Sequence, residues 1–195
     1  IGQVSAGGDS VVDFQYIVNG VYINKQVIMD DADNTGYDEA MLTFIPITVP
    51  ILQSKVTYFE HILNDEVVRR ELWTISLINN KVNIVVYNFT SSVSNDFNLN
   101  DVVDNLKEED LHGNKDCPAT FTELSGGMFV GSKTDCRDSS NGYHPVFDGT
   151  ATCNALIIGV PAEASRKHVR GSYVFTRDKD RFPIPDVPDG YQFPC

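Results

Sequence analysis

The 195-residue chain has no apolar run approaching the roughly 20 residues a membrane-spanning helix requires, so it is expected to be soluble, with no membrane partner. Positive charge is also scarce: 15 Lys and Arg stand against 27 Asp and Glu, a formal net charge of -12. Nucleic acid is therefore not an expected partner, because phosphate binding needs clustered cations. The acidic excess reads as a solubility device, as in many extracellular proteins. No Gly-x-Ser-x-Gly elbow, phosphate-binding loop or paired-cysteine redox motif occurs. His61, His112, His144 and His168 lie far apart without ligand spacing, so no metal is expected. Nothing in the chain independently announces catalysis.

Four cysteines are present, one of them the final residue, where a lone thiol would be exposed and of little structural use. Pairing is the economical reading. Four cysteines allow three connectivities, which sequence does not decide; the expected pairs are Cys117 with Cys136 and Cys153 with Cys195. Asn88-Phe89-Thr90 is a glycosylation sequon at Asn88. The chain starts at Ile1, as a processed protein would after loss of a signal peptide. Together these features lead to the expectation of a secreted glycoprotein.

Length fits one domain, residues 1–195, with a core of its own. Residues 1–10 are small and polar and read as a loose arm. Two strand-like runs, VVDFQYIV and VYINKQVI, follow, separated by Asn19-Gly20 as in a hairpin. The acidic segment DDADNTGYDE places Asp31, Asp33 and Gly36 as in the opening of a calcium loop. The closing glutamate is missing, since Leu42 occupies that position, and the segment is read as a solvated turn. Residues 40–52 are apolar and carry Pro46 and Pro50, which suits an edge strand or an irregular crossing.

Residues 55–77 fit either one helix or two strands interrupted at Asn64-Asp65, and β-branched content favours strands. After the turn Asn79-Asn80, KVNIVVYNFT is the clearest strand of the chain. Residues 91–113 form the one helical or loop interlude, with Asn100-Asp101 as its cap. Residues 119–133 read as a hairpin turning at Ser125-Gly126-Gly127, which a Cys117–Cys136 bond would clamp at its open end. Residues 143–158 hold two more strands divided at Asp148-Gly149. GSYVFTR then puts Tyr173, Phe175 and Arg177 on one face of a strand, as a pocket wall would be built. The prolines of residues 178–195 favour an extended tail held by Cys195. Many short strands with little helix indicate a mainly β chain, an antiparallel barrel or sandwich.

Four stretches in order give the chain a resemblance to a family. They are Gly20-Val21-Tyr22-Ile23-Asn24-Lys25-Gln26, Val56-Thr57-Tyr58-Phe59-Glu60, the cysteine-bracketed hairpin with Phe129 and Gly131, and Gly171 through Arg177. The chain resembles the CpcT/CpeT family of phycobiliprotein chromophore lyases, with related secreted sequences in invertebrates. The resemblance implies a calyx-like (calycin/lipocalin-like) antiparallel β-barrel enclosing a linear tetrapyrrole, whose propionates need cations. Where the family places Pro-Tyr-Arg-x-Arg, this chain has Glu66-Val67-Val68-Arg69-Arg70, so only the second arginine carries over, as Arg70.

The expected ligand-binding set is Tyr58, Glu60, Arg70, Trp73, Tyr173, Phe175 and Arg177. Several have a structural alternative: Tyr173 and Phe175 as plain core, Trp73 as core with a bonded indole, Glu60 with Arg177 as an internal ion pair, and Arg70 as a surface arginine beside Arg69. Strand parity admits only one of Arg69 and Arg70 to an interior. The leading functional expectation is a secreted carrier of a bilin or similar long apolar pigment. A carotenoid-carrying storage or structural glycoprotein and an active bilin lyase are the alternatives, and the sequence leaves oligomeric state open.

Overall fold

The computed structural model describes residues 9–25, 38–90, 98–124, 127–133, 147–159 and 172–195. The acidic segment with Asp31, Asp33 and Gly36, together with Cys136, His144, His168 and Gly171, lies outside the described residues.

The elements are α1 (Ser10–Val18), β1 (Gly20–Ile23), β2 (Ala40–Ile47), β3 (Lys55–Leu63), β4 (Glu66–Ile78), β5 (Lys81–Phe89), α2 (Leu99–Asn105), β6 (Leu111–Gly113), β7 (Ala119–Glu123), β8 (Phe129–Lys133), β9 (Phe147–Ala151), β10 (Ala155–Gly159) and β11 (Ser172–Arg177). Their hydrogen-bonded order is β4-β3-β2-β1-β11-β10-β9-β8-β7-β5-β6, and β4 also pairs with β5. Ten strands therefore close into an antiparallel barrel, with β6 as a flap on β5. Among the described residues the fold is mainly β with two short α-helices, as the turn-punctuated sequence led one to expect.

Residues 55–77 are two strands. Asn64 and Asp65 both take left-handed backbone (φ 49 and 65), as do Asn79 and Asn80 (φ 51 and 59), the conformation that tight hairpins between twisted strands require. In β2, residues 40, 42, 44 and 46 are buried and their neighbours are not, a period of two. Phe44, Phe59, Ile75, Ile84, Phe121, Phe129 and Phe175 consequently share one interior cluster. Outside the barrel, α2 and neighbouring loops cover a second cluster built on Val49, Val56, Tyr58, Leu72 and Leu106.

Four sequence expectations are corrected. The run before Asn19 is α1, not the first arm of a hairpin. Asp9 caps it by accepting from the amides of Val11 (2.9 Å) and Val12 (3.4 Å), and Phe14, Ile17 and Val18 bury a helical face in the barrel core. Burial against the barrel overrides the β-branched character of the segment. Second, β2 is an interior strand despite Pro46. β1 begins at Gly20 opposite Phe44, so Pro46 lies past the end of that neighbour, where its missing N–H is tolerated. Third, β9 and β10 are divided at residues 152–154, and Gly149 sits inside β9 opposite Gly131 of β8. These two glycines leave room for the Phe121 ring, which a Cβ at Gly131 would strike. Fourth, α2 is capped by Asn98, not by Asn100-Asp101.

Helix α1 lies across one end of the barrel, and its last carbonyls have no partner of their own. Two arginines supply donors. Arg177 donates to the carbonyls of Asn19, Ile17 (2.9 Å) and Cys153 (3.0 Å), while its guanidinium lies 4.6 Å from the Tyr22 ring centroid. Arg181 donates to the carbonyls of Tyr16 (2.9 Å) and Cys153 (2.8 Å) and lies 4.1 Å from the Tyr16 ring. Cations at a helix C-terminus also suit the helix dipole. Burial pushes the Tyr22 hydroxyl up to about 12, so it stays protonated and donates to Ile17 (2.8 Å). Gly20, at φ 130, is required twice over, since a Cβ there would lie 2.5 Å from the Arg177 guanidinium.

The tail is extended, as its prolines imply. It runs under α1: Asn19 bonds Phe182, Tyr191 donates to Asp13 (2.8 Å), and Phe193 stacks on Tyr16 with centroids 4.2 Å apart. A disulfide joins Cys195 to Cys153. Cys117 is buried, and no described cysteine is free.

Arg177→Ala should cost about 3 kcal/mol or more, because it strands buried carbonyls whose bonds to a charged donor are worth about 1.5–3 kcal/mol each. Arg177→Lys should recover only part of this, since one ammonium cannot span the same set; chemical denaturation of the three proteins checks both statements. Cys195→Ser should cost at most about 4 kcal/mol, the loop-entropy figure for a 42-residue separation, and a thermal melt with and without reductant measures it.

Candidate functional site

Ten strands enclose more space than the eight whose interior side chains just fill a barrel. The interior holds a cavity of about 330 Å³. That volume falls within the range of small-molecule sites, roughly 300–1,000 Å³. Its floor is Phe14 and Val18 of α1, which explains why the helix must be buried. The wall is aromatic: Phe44 and Phe59 meet Trp73 at centroid distances of 5.3 and 4.9 Å, and Phe121, Tyr173 and Phe175 continue the ring around the barrel. Such a surface offers flat apolar contact to a conjugated ligand.

The polar groups collect on one side. Glu71, 6% exposed, accepts from the Trp73 indole (2.8 Å) and pairs with Arg69 (3.4 Å). Arg69 and His61 face each other in register and both line the cavity. Lys133 of β8, 5% exposed, pairs in register with Phe147 and Ala119 and feels the charges of Glu71 and Arg69, but neither it nor Glu71 lines the cavity. The charged residues of the lining are Arg69 and Asp38, set against an aromatic wall inside a protein of net charge -12.

Of the seven residues expected from sequence, Trp73, Tyr173 and Phe175 line the cavity. Tyr58, Glu60 and Arg70 do not. They form a chain on the barrel's outer face, where Glu60 accepts from Tyr58 (2.9 Å) and from Arg70 (2.7 Å), and Tyr58 belongs to the cluster under α2. Arg177 shares the inner face with Tyr173 and Phe175, but its guanidinium is taken up by the α1 carbonyls, and it forms no pair with Glu60. Asp38, Phe44, Phe59, His61 and Arg69 also line the cavity and were not singled out as site residues from sequence. Parity would have found several: counting back by twos from Trp73 gives Glu71 and Arg69, whereas Arg70 lies three away and must face outward. The β3–β4 register shifts beside His61, leaving Val68 without a partner, so the alternation does not continue toward Glu66. Asn88 is exposed in β5 opposite Glu71, compatible with a sequon accessible to glycosylation.

Burial, with the nearby Arg69 charge adding to it, pushes the His61 imidazole down to about 4, below the ordinary value of 6.5. His61 is therefore neutral when folded and takes up a proton on unfolding below pH 6.5. Its contribution is present above that pH and is lost as pH falls from about 6.5 toward 4. Wild type should lose on the order of 2 kcal/mol more stability across that interval than His61→Leu, as measured by urea unfolding at a series of pH values.

Comparison with known proteins adds the fold and no more. No family model matches the chain, and no curated protein matches it. A search of solved structures finds the selenomethionine form of the Arabidopsis CRL protein, with a TM-score of 0.59 and 14% identity, covering 87% of this chain and 98% of that one. At that identity the likeness establishes shared barrel architecture.

Proposed function

We propose that the protein is a carrier of a long, conjugated, apolar small molecule, a linear tetrapyrrole in the first instance, seated against Trp73 and the phenylalanines of the lumen. The observation that carries this reading is the 330 Å³ cavity with an aromatic wall and a guanidinium at its edge. A bilin brings flat rings to the first and propionates to the second. Arg69, whose side chain is 37% exposed, is placed for the acid, because a planar fork pairs a carboxylate through two bonds. The cavity also favours a carrier over a storage protein with a collapsed interior. The Cys153–Cys195 bond supports an extracellular setting, and Asn88 is the site proposed for a glycan.

The lone tryptophan lines the cavity and reports occupancy directly. Biliverdin should quench Trp73 fluorescence saturably. Arg69→Ala should weaken that binding about tenfold or more, the worth of one bond to a charged group, while Arg70→Ala leaves it unchanged. A carotenoid without carboxylates should bind both variants alike. Absence of quenching, or loss with Arg70→Ala in place of Arg69→Ala, contradicts the reading.

A further inference from the structure

We propose that the C-terminal tail, residues 178–195, is a redox-released strap: a dithiol that opens the Cys153–Cys195 bond frees the tail, loosens α1 and lets the guest leave through the closed end of the barrel. This rests on the carrier reading above. The first ground is how the cavity floor is held. Helix α1 gives Phe14 and Val18 to the lining, yet it has only nine residues, fewer than the roughly 12–15 below which an isolated helix is marginal in water. It therefore stays helical because its surroundings grip it. The barrel does so through the buried face of α1, through Arg177, and through the bonds of Ser10 to Glu123 and of Gln15 to the Val56 carbonyl.

The tail supplies the rest, and it does so at both ends of the helix. At the C-terminal end Arg181 donates to the Tyr16 carbonyl, Phe193 stacks on the Tyr16 ring, and the Asn19 side chain exchanges two hydrogen bonds with the backbone of Phe182. At the N-terminal end the Tyr191 hydroxyl donates to Asp13 (2.8 Å) and accepts from the amide of the capping residue Asp9 (2.8 Å). The tail has no helix or strand of its own, so its order depends on two anchors, β11 before it and the disulfide at its last residue. Opening the second anchor turns a closed loop into a free end, and the contacts above must then hold it against the chain entropy that closure had removed. Arg177 and Arg181 also share the carbonyl of Cys153, the residue that the bond fixes, so its opening is felt by both.

The second ground is access. Cys195 is exposed and Cys153 half-buried, so an incoming thiolate reaches the Cys195 sulfur first. Its attack forms a mixed disulfide with Cys195 and expels the Cys153 thiolate, which takes up a proton. The second thiol of the reductant, as thiolate, then attacks its own sulfur in the mixed disulfide and releases Cys195. Two electrons have passed: the dithiol leaves as its cyclic disulfide, and both cysteines are thiols.

The test uses the full-length protein with retinol as probe guest, dithiothreitol as dithiol, and excess phosphatidylcholine vesicles to take up what is released. Retinol quenching of Trp73 reports loading, and recovery of that fluorescence reports departure. Retinol should leave the reduced protein at least about tenfold faster than the oxidised one, and trypsin should cut after Arg181 faster by a similar factor. The double variant Cys153→Ser/Cys195→Ser, shown to be folded by its thermal melt, should release retinol at the fast rate with or without dithiothreitol. The proposal is overturned if release is unchanged once mass spectrometry shows the bond open, or if the double variant releases at the slow rate. Loss of the whole fold on reduction also overturns it, since the bond would then secure the barrel and not its floor. Quenching with a release rate indifferent to reduction sinks the strap and leaves the carrier reading standing; no quenching in the oxidised protein sinks both.

Discussion

Arg177 holds three carbonyl oxygens that no strand ladder or helix turn uses, and the architecture depends on that grip. A closed barrel with a helix laid across one end must satisfy the helix's last carbonyls in a place water reaches poorly. The guanidinium of β11 does so from inside the wall, and Arg181 on the tail does so from outside. Because Gly20 has no Cβ, the chain can turn from α1 into β1 directly beside that guanidinium. The disulfide from Cys195 lands on Cys153, whose carbonyl both arginines share, so the covalent and the electrostatic fastenings converge on one residue.

With the floor fixed, the lumen above it keeps a cavity that side chains do not fill. Phe14 and Val18 set its depth, and the ring of Phe44, Phe59, Trp73, Phe121 and Phe175 sets its character. Glycine in two facing strand positions, Gly131 and Gly149, makes space for the Phe121 ring. The charged residues of the cavity's lining are Arg69 of β4, beside His61 of β3, and Asp38 just before β2, and in the proposed carrier a guest's carboxylate would meet Arg69.

The architecture was legible where local chemistry is strong. Asn64-Asp65 and Asn79-Asn80 announce tight turns, and the alternation of residues 40–47 announces a strand with one face inside. The helix at Ser10–Val18 was not legible from β-branched content, because Val, Ile and Phe favour strands when solvent and neighbours are unspecified; the barrel end supplies the deciding burial. Its cap at Asp9 is a weaker local signal than the Asn19-Gly20 pair, which in isolation reads as a hairpin turn. The site was half legible. Tyr173 and Phe175 follow from the final strand alone, but choosing Tyr58, Glu60 and Arg70 alongside Trp73 mixes the two faces of one hairpin. Arg177 lies on the expected face and serves the floor instead, a distinction that needs the position of α1.

A crystal structure determined with excess biliverdin tests most directly whether the lumen takes up a conjugated acid whose carboxylate meets Arg69, as proposed. Density for the tetrapyrrole is expected against Trp73 and Phe59, with a propionate within hydrogen-bond distance of Arg69. A lumen left empty at saturating ligand, or ligand seated on the outer wall beside Tyr58, Glu60 and Arg70, would contradict it.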